Sequence, residues 1–358
     1  MTKPAVSATA PTVSVVMAAY NGAALIGETL ASLKAQSFTD FEVIVVDDCS
    51  TDTTRDVVRA WPDPRVRLIE SETNGGPVRA RNRAVAAARG RYVAGLDQDD
   101  LCHRDRLARQ VAYLESHPRT VLVATAANIL QHGAVRRSRL PANTTPALIG
   151  WLLQIMNPLV WSSVMLRGDV ARELDPFTRP EILYAEDFDL YHRLRRYGAI
   201  ARIDDPLITY RSHAGGASQC HTARMIDSAE AVLGTAYAAL LGESGAEAAG
   251  LIARHVMAGV PVGDRDTLRQ LGTLIAMLQA SYLDTGHFDR ESVRLIRWET
   301  ARLWWRIGRH AVRSGALGLS DALAVRPDHL GLGHAGIDDL LMSALVGRAR
   351  AARRRLAV

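Results

Sequence analysis

The sequence predicts an α/β domain with a mostly parallel sheet, followed by an all-helical domain. In the first 220 residues, short runs of β-branched apolar residues alternate with segments of helical periodicity, as in repeated strand–helix units. After Cys220 the strand-like runs stop, and apolar residues recur at helical spacing. With 358 residues, of which 48% are apolar, the chain is long enough for two cores. We expect a flexible start over 1–10, the α/β domain over 11–220, the helical domain over 221–346 and a basic tail over 347–358.

Five apolar runs give the predicted strands of the α/β domain. Each run is rich in β-branched residues and is bounded by turn-forming residues. The segments between the runs carry helix signals, such as Pro77 at the start of a predicted helix and Gly90 after its end. The predicted strands are 13–17, 42–47, 65–69, 91–96 and 121–126.

The net charge of +5 is concentrated near the C-terminus. A nucleic-acid-binding protein is expected to carry a basic face through its folded part, so the charge distribution argues against a nucleic-acid partner. Two interpretations of the tail stay open. Its arginines are either solvated surface charges or a peripheral contact with an anionic membrane surface. They are Arg348, Arg350, Arg353, Arg354 and Arg355.

Three scattered cysteines, Cys49, Cys102 and Cys220, show no C-x-x-C spacing, which argues against a disulfide framework and against a zinc site. No apolar run reaches the ~18 residues that a membrane span needs, and the run after residue 12 is too short for a signal peptide. We therefore expect a cytoplasmic protein, either soluble or peripheral at the inner face of the membrane. The chain also lacks the glycine-rich motifs of dehydrogenases and P-loop ATPases.

The strongest chemical signal is a run of acids, Asp97-Gln98-Asp99-Asp100, directly after the predicted strand 91–96. Ligands of open α/β sheets bind beyond the carboxyl ends of strands, and two carboxylates one residue apart can approach one hard cation. A divalent ion that carries substrate phosphates would suit them. The alternative is that one acid only caps the helix that follows.

Polar residues also follow the first two strands, at Tyr20-Asn21-Gly22 and Asp47-Asp48. Two more motifs lie later in the domain. Glu186 and Asp187 open a helix, where the helix dipole alone could explain acidic residues. His213 ends the motif Tyr-Arg-Ser-His, although a lone histidine is more often structural than a ligand.

Taken in order, these motifs resemble the inverting glycosyltransferases of family 2, which have a GT-A fold that binds nucleotide sugars. The resemblance covers residues 12–218, and the combination of motifs is more specific than any one of them. The segments that carry it are 13–21, 43–52, 74–76, 80–82, 96–100, 184–190 and 210–213.

The resemblance implies a role for each motif residue. Ala18, Tyr20, Asp48, Arg81, Asp97 and Gln98 would bind the donor, with Tyr20 stacking near the base, Asp48 bonding to uracil and Arg81 facing the pyrophosphate. Asp99 and His213 would be ligands of Mn²⁺ or Mg²⁺. Asp187 would be the general base. The simpler alternatives are that Asp47 or Asp48 caps the helix after Cys49, that Arg81 is a solvated surface charge and that His213 is structural.

The expected function is metal-dependent transfer of a sugar from a UDP-sugar to a glycan or lipid-linked glycan acceptor, in cell-surface polysaccharide synthesis. An inverting transfer needs one base on the acceptor side and no covalent nucleophile. Two alternatives remain open: a sugar nucleotidyltransferase, which would release pyrophosphate, and a non-catalytic scaffold that binds nucleotide sugars. The scaffold has no need of a base at Asp187.

Overall fold

A computed structural model describes residues 10–138, 140–213, 215–327 and 337–356. The chain divides into two compact units. Unit 1 consists of the chain up to Asn143 and of Leu159–Thr222, and unit 2 consists of Thr144–Pro158 and of the chain from Ala223 onward. The segment Thr144–Pro158 therefore packs with the helical unit, although it lies within the predicted α/β domain. Apart from Ala10, the predicted flexible start lies outside the described residues.

Unit 1 is built on a nine-stranded mixed sheet with the order β3-β2-β1-β4-β8-β6-β9-β5, and β7 pairs with β6. Strands β1 to β4 run parallel, as do β6 and β9, whereas β5, β7 and β8 pair antiparallel with their neighbours. The strands are β1 (Val13–Ala19), β2 (Phe41–Asp47), β3 (Val66–Glu70), β4 (Tyr92–Gly95), β5 (Leu101–Cys102), β6 (Thr120–Gln131), β7 (Ala134–Arg137), β8 (Met165–Arg167) and β9 (Ala199–Ser212).

Helices fill the connections between the parallel strands. Every residue of β2 and β4 is buried, as expected for central parallel strands covered on both faces. Helix α3 begins with a proline after Gly76, whose φ of +85° favours glycine. The helices of this unit are α1 (Ile26–Lys34), α2 (Thr54–Arg59), α3 (Pro77–Ala86), α4 (Arg106–Ser116), α6 (Gly168–Glu173), α7 (Glu186–Leu194) and α8 (Ala217–Cys220), with α5 (Pro146–Leu152) in unit 2.

Unit 2 contains no strand among its described residues. The predicted fold class, an α/β domain followed by helices, is thus confirmed. No described helix is long and apolar enough to cross a membrane. Residues 347–356, assigned to the predicted basic tail, continue the last helix. The helices are α9 (Thr222–Leu241), α10 (Gly245–Ile252), α11 (Arg265–Thr285), α12 (Arg290–Ser314), α13 (Leu319–Ala324) and α14 (Ile337–Leu356).

Candidate active site

Three parallel strands deliver polar side chains to one edge of the sheet. The register pairs Ala19 at the end of β1 with Asp47 at the end of β2, and it pairs Val16 of β1 with Gly95 at the end of β4. The chain continues from these strands into the segments that hold Tyr20, Asp48 and Asp97. Three of the predicted donor-binding residues, Tyr20, Asp48 and Asp97, therefore follow neighbouring strand ends.

Gln98 ties the acidic loop to the end of β1. Its side-chain Oε1 accepts from the backbone N–H of Tyr20 at 3.0 Å, and its Nε2 donates to the Tyr20 carbonyl at 3.0 Å. The amide fits only because Gly22 has no side chain, since a Cβ there would lie 2.0 Å from Gln98 Oε1. Gln98 thus positions Tyr20, whose ring is 46% exposed and open to a stacking partner. Ala18 lies half-buried near the end of β1.

Asp48 is buried and shapes the loop before α3. Its Oδ1 accepts from the Gly75 N–H at 2.9 Å, and its Oδ2 accepts from the Gly76 N–H at 2.7 Å. Cys49, directly after it, has a φ of +63° and so turns the chain sharply. A contact from Asp48 to a nucleobase would use the remaining lone pairs of these two oxygens.

Asp47, the acid directly before Asp48, stabilises the turn after β2. Asp47 Oδ2 accepts from the Ser50 N–H at 2.9 Å and from Arg55 Nε at 2.7 Å. Burial alone would raise the pKa of Asp47, but the bonds from Ser50 and Arg55 outweigh it and lower the pKa. Asp47 therefore stabilises this turn and does not cap α2, since the backbone N–H of Thr54, the first residue of that helix, donates to Asp52 Oδ1 at 3.0 Å.

Arg81 is buried within a cluster of carboxylates. Its Nη1 lies 2.5 Å from Glu186 Oε1, its Nη2 lies 3.8 Å from Asp97 Oδ1, and its guanidinium carbon lies 4.4 Å from the ring centroid of Trp161. Burial works against the charge, yet the two carboxylates hold the pKa of Arg81 above its usual value. The residue is thus no solvated surface charge. It joins the acidic loop after β4 to the start of α7.

The negative charges of the acidic side chains near Arg81 are not fully compensated by positive charge. The pKa of Asp97 rises to about 6, chiefly because of desolvation and then because of the charges of Asp99 and Glu186, while Arg81 opposes the rise. Asp100 is fully buried, and desolvation followed by repulsion from Asp97 and Asp99 raises its pKa well above the usual range. Its Oδ1 accepts from the backbone N–H of Arg211 in β9, but its Oδ2 has no hydrogen-bond partner in the described part of the chain.

Asp99 and His213 meet directly. His213 follows the end of β9, and its Nε2 lies 2.8 Å from Asp99 Oδ2. The two residues are 114 positions apart in the sequence, so only the fold brings them together. Both side chains remain partly exposed, at 37% for the imidazole and 21% for the carboxylate. Both are therefore accessible to an ion from solvent.

These groups fit a divalent cation. Desolvation, followed by like-charge repulsion, raises the pKa values of Asp97 and Asp100, and two buried oxygens, Asp100 Oδ2 and Glu186 Oε2, have no hydrogen-bond partner among the described residues. Among the described residues, no three histidine, cysteine or acidic side chains are placed to hold one ion. Mg²⁺ is usually bound by one or two carboxylates together with substrate phosphates and water. Asp99 and His213, whose side chains are in contact, are the residues that would hold the ion.

Helix α7 presents the predicted base. Asp187 is half-buried, and its Oδ1 accepts from the next backbone N–H, at Phe188, at 2.8 Å. Its charge is felt by Arg81 and by Tyr191, one turn further along the helix. Tyr184, just before the helix, has a φ of +66°, a conformation that is strained for a tyrosine.

Tyr191 was missed by the sequence reasoning. It is fully buried, and its hydroxyl has no hydrogen-bond partner within the residues that the structure describes. Its pKa is raised well above the usual value by desolvation and then by Asp187. Its spacing of four residues from Asp187 was a usable signal, because residues at i and i+4 share one face of a helix.

Comparisons with known proteins identify the family. The model of glycosyl transferase family 2 matches residues 14–173. The putative glycosyltransferase EpsE of Bacillus subtilis is 31% identical over 193 residues, which cover 52% of this chain and 68% of EpsE. The chain belongs to glycosyl transferase family 2. The family resemblance inferred from the motifs is thereby confirmed.

Other relatives of this family 2 protein are matched over part of their length. The succinoglycan biosynthesis protein ExoO of Rhizobium meliloti is 42% identical over 146 residues, which are 39% of this chain and only 42% of ExoO. A crystal structure of Staphylococcus aureus TarS, residues 1–349 in complex with UDP, superposes with a TM-score of 0.54 at 19% identity. That match covers 96% of this chain and 91% of the TarS chain, and it supports the fold.

Proposed function

We propose that this family 2 protein transfers a sugar from a UDP-sugar to a glycan or lipid-linked glycan acceptor, with inversion at the anomeric carbon. One observation carries the proposal: Arg81 lies between Asp97, on the loop proposed to bind the donor, and Glu186, beside the proposed base. One arginine thus connects a carboxylate proposed to bind the donor with a carboxylate beside the proposed base. A nucleotide-binding scaffold would not need the second of them.

The donor side would hold the nucleotide diphosphate. Tyr20 offers an exposed ring for the base, with Ala18 and Asp48 beside it. Asp99 and His213 would hold Mn²⁺ or Mg²⁺, with Asp97 close by. The ion supplies a Lewis acid that neutralises the charge developing on the diphosphate as UDP departs. A nucleotide of this kind is supported by the TarS neighbour, whose crystal structure contains UDP.

The acceptor side would hold the base. Asp187 accepts the proton of an acceptor hydroxyl while that oxygen forms a bond to the anomeric carbon and the bond from that carbon to UDP breaks. The attack comes from the face opposite the leaving group, so one displacement inverts the configuration and no covalent enzyme intermediate forms. Glu186 is held by Arg81 at 2.5 Å, and Asp187 follows it directly, half-buried at the start of α7.

Arg81 was expected to face the donor pyrophosphate. Its exposure of 7% and its ion pair with Glu186 support an additional task, which is to keep several carboxylates close together without mutual repulsion opening the site. Its contact with Asp97, at 3.8 Å, is the looser of the two. A bound pyrophosphate would compete with Asp97 for that side of the guanidinium.

The acceptor is proposed to be a bacterial surface glycan, or its lipid-linked precursor, built on the cytoplasmic side of the membrane. The name of ExoO, a succinoglycan biosynthesis protein, supports a polysaccharide pathway. On α14, Arg348 and Arg350 are exposed, which supports a peripheral contact with anionic lipid. The side chains of the other three arginines in this group lie outside the described residues.

A panel of nucleotide sugars tests the donor. Thermal unfolding with Mn²⁺ present should reveal the preferred donor, because a ligand at ~100 times its dissociation constant stabilises the folded state by about 2.7 kcal/mol. Incubation of that donor with acceptor glycans should then release UDP. Release of pyrophosphate from a sugar phosphate and UTP would instead establish the nucleotidyltransferase alternative. Binding without release of either product would establish the scaffold.

A further inference from the structure

The helical unit carries a surface cavity of about 560 Å³ along the first half of α12. It lies within unit 2 and contains none of the residues discussed above. Three arginines, two aromatic residues and two small apolar residues line it. We call it the arginine groove, and it is defined by Phe288, Arg290, Arg294, Arg297 and Trp298.

The arginines form a single row. Arg290, Arg294 and Arg297 are spaced at i, i+4 and i+7, so they project from one face of α12 over about 10 Å at the helical rise of 1.5 Å per residue. All three are exposed. Arg294 pairs with Glu291 at 2.8 Å, but both partners are more than 60% exposed, so this bond is weak and easily exchanged.

The other two arginines form no ion pair within the part of the chain that the structure describes. The row also starts at the first residue of α12, where the helix macrodipole contributes further positive potential. Side-chain capping by Asp289, which accepts from the Ser292 N–H at 2.8 Å, fixes this helix start. The groove therefore offers a row of three cations, of which only Arg294 has an ion-pair partner, Glu291, among the described residues.

Aromatic rings complete the groove. Trp298 is 43% exposed, which is unusual for so large an apolar side chain. Phe288 is stacked on Tyr282, with ring centroids 5.0 Å apart and planes 20° from parallel. A Cβ on Gly286 would lie 2.1 Å from Phe288 Cζ, so the glycine lets this ring occupy its place. Rigid aromatic surface thus lies beside the guanidinium row.

We propose that the arginine groove binds an acidic glycan, a saccharide chain that carries carboxylate or phosphate groups. Guanidinium groups bind such anions through paired hydrogen bonds, and aromatic rings pack against the apolar C–H faces of sugar rings. A simple anion would not need Trp298 or Phe288. The binding of an acidic glycan does not depend on the proposed function. The further step, that this glycan is the polymer being extended, rests on the proposed function.

Calorimetric titration with a short oligogalacturonate at 0.15 M salt tests the proposal. The variant R290Q/R294Q/R297Q should weaken binding at least about tenfold, and W298A should weaken it about threefold or more. The matched control, R265Q/R269Q/R313Q, removes the same charge from exposed positions outside the groove and should change the dissociation constant less than about twofold. A neutral maltodextrin should bind far more weakly than the acidic oligosaccharide.

Three results would overturn the proposal. Equal loss in the control variant would mean that net charge alone drives binding. If polyglutamate bound as tightly as oligogalacturonate, the groove would recognise carboxylate groups and not a saccharide. Binding of phosphatidylglycerol vesicles that depends on these arginines, with no binding of the oligosaccharide, would assign the surface to a membrane. UDP affinity measured on the same variants should be unchanged, and a wild-type protein that fails to bind UDP would count only against the proposed transferase.

Discussion

Arg81 of α3 and Glu186 of α7 form an ion pair across 105 residues of sequence, with Nη1 and Oε1 2.5 Å apart and both side chains more than 90% buried. The pair fixes the start of α7 against α3. Because Asp187 is the next residue, the same contact sets where the proposed base can lie. A buried pair of this kind is costly to break from one side, since the remaining charge has no partner in a medium of low dielectric constant.

The first prediction concerns this pair. R81M should lower the free energy of unfolding by about 3–5 kcal/mol, because Glu186 would then be buried without compensation. The double variant R81M/E186L should recover much of that loss, as measured by urea unfolding. As a control, R109M removes an exposed partner of Asp205 and should cost no more than about 1 kcal/mol. Equal stabilities of R81M and the wild type would contradict the prediction.

The second prediction concerns pH. The pKa of Asp97 is raised to about 6 in the fold, so between its unfolded value near 3.9 and pH 6 the folded state holds more protons than the unfolded state. The contribution of Asp97 to stability is therefore present at low pH and is lost as pH rises through about 6. D97N should raise the free energy of unfolding at pH 7.5 by about 1 kcal/mol, a discounted figure because the side chain is 38% exposed.

The measurement is chemical denaturation of both proteins in EDTA at pH 5 and pH 7.5. The stabilising effect of D97N should be large at the higher pH and small at the lower one. Addition of Mn²⁺ at pH 7.5 should stabilise the wild type more than D97N. An effect of equal size at both pH values would show that the raised pKa of Asp97 contributes little to the pH dependence of the free energy of unfolding.

The third prediction concerns the metal. EDTA should abolish sugar transfer, and D99N should weaken Mn²⁺ binding at least about tenfold, because it alters one of the two proposed protein ligands. Binding of Mn²⁺ can be followed directly by electron paramagnetic resonance, which does not depend on turnover. D205N alters an exposed acid paired with Arg109 and serves as the control. Full transfer activity in EDTA would exclude a required divalent ion.

The fourth prediction concerns the base. D187N preserves the size of the side chain and its bond to the Phe188 N–H but removes the basicity, so turnover should fall by at least ~10²-fold with little change in UDP-sugar affinity. D169N, at an exposed acid in the first turn of α6, should leave turnover unchanged. Near-normal turnover of D187N would transfer the role to Glu186 or Asp189. Asp189 is the poorer candidate, since Arg193 holds it at 2.8 Å.

The fifth prediction concerns the tail. Glutamine at all five tail arginines should abolish sedimentation with anionic vesicles at low salt, because each arginine near such a surface contributes about 1 kcal/mol. Substitution is preferable to truncation, since α14 packs closely on α12: a Cβ on Gly347 would lie 2.1 Å from the Val312 carbonyl oxygen. Neutral vesicles are the control. Wild-type protein that stays in the supernatant with anionic vesicles would refute membrane contact and favour a soluble glycan acceptor.

Local sequence patterns were sufficient to predict the first strands and helices. The prediction 42–47 for β2 differs from the observed Phe41–Asp47 by one residue, and α3 begins at Pro77 as its proline predicts. Such features depend on side-chain periodicity and on the backbone preferences of single residues, which a short window contains. The long strand β9, Ala199–Ser212, was not delimited, because Asp204, Asp205 and Pro206 interrupt its apolar pattern.

The sequence by itself determined the fold class, the family and the types of side chain that the site contains, since these follow from local patterns and from the order of motifs. Only the tertiary structure decided which side chains meet. It paired Arg81 with Glu186 and Asp99 with His213, and it packed Thr144–Pro158 with the helical unit. The physical reason is that these contacts join residues far apart in the chain. Their partners are selected by packing and by the need of buried charges for compensation, and neither leaves a periodic signal in the sequence.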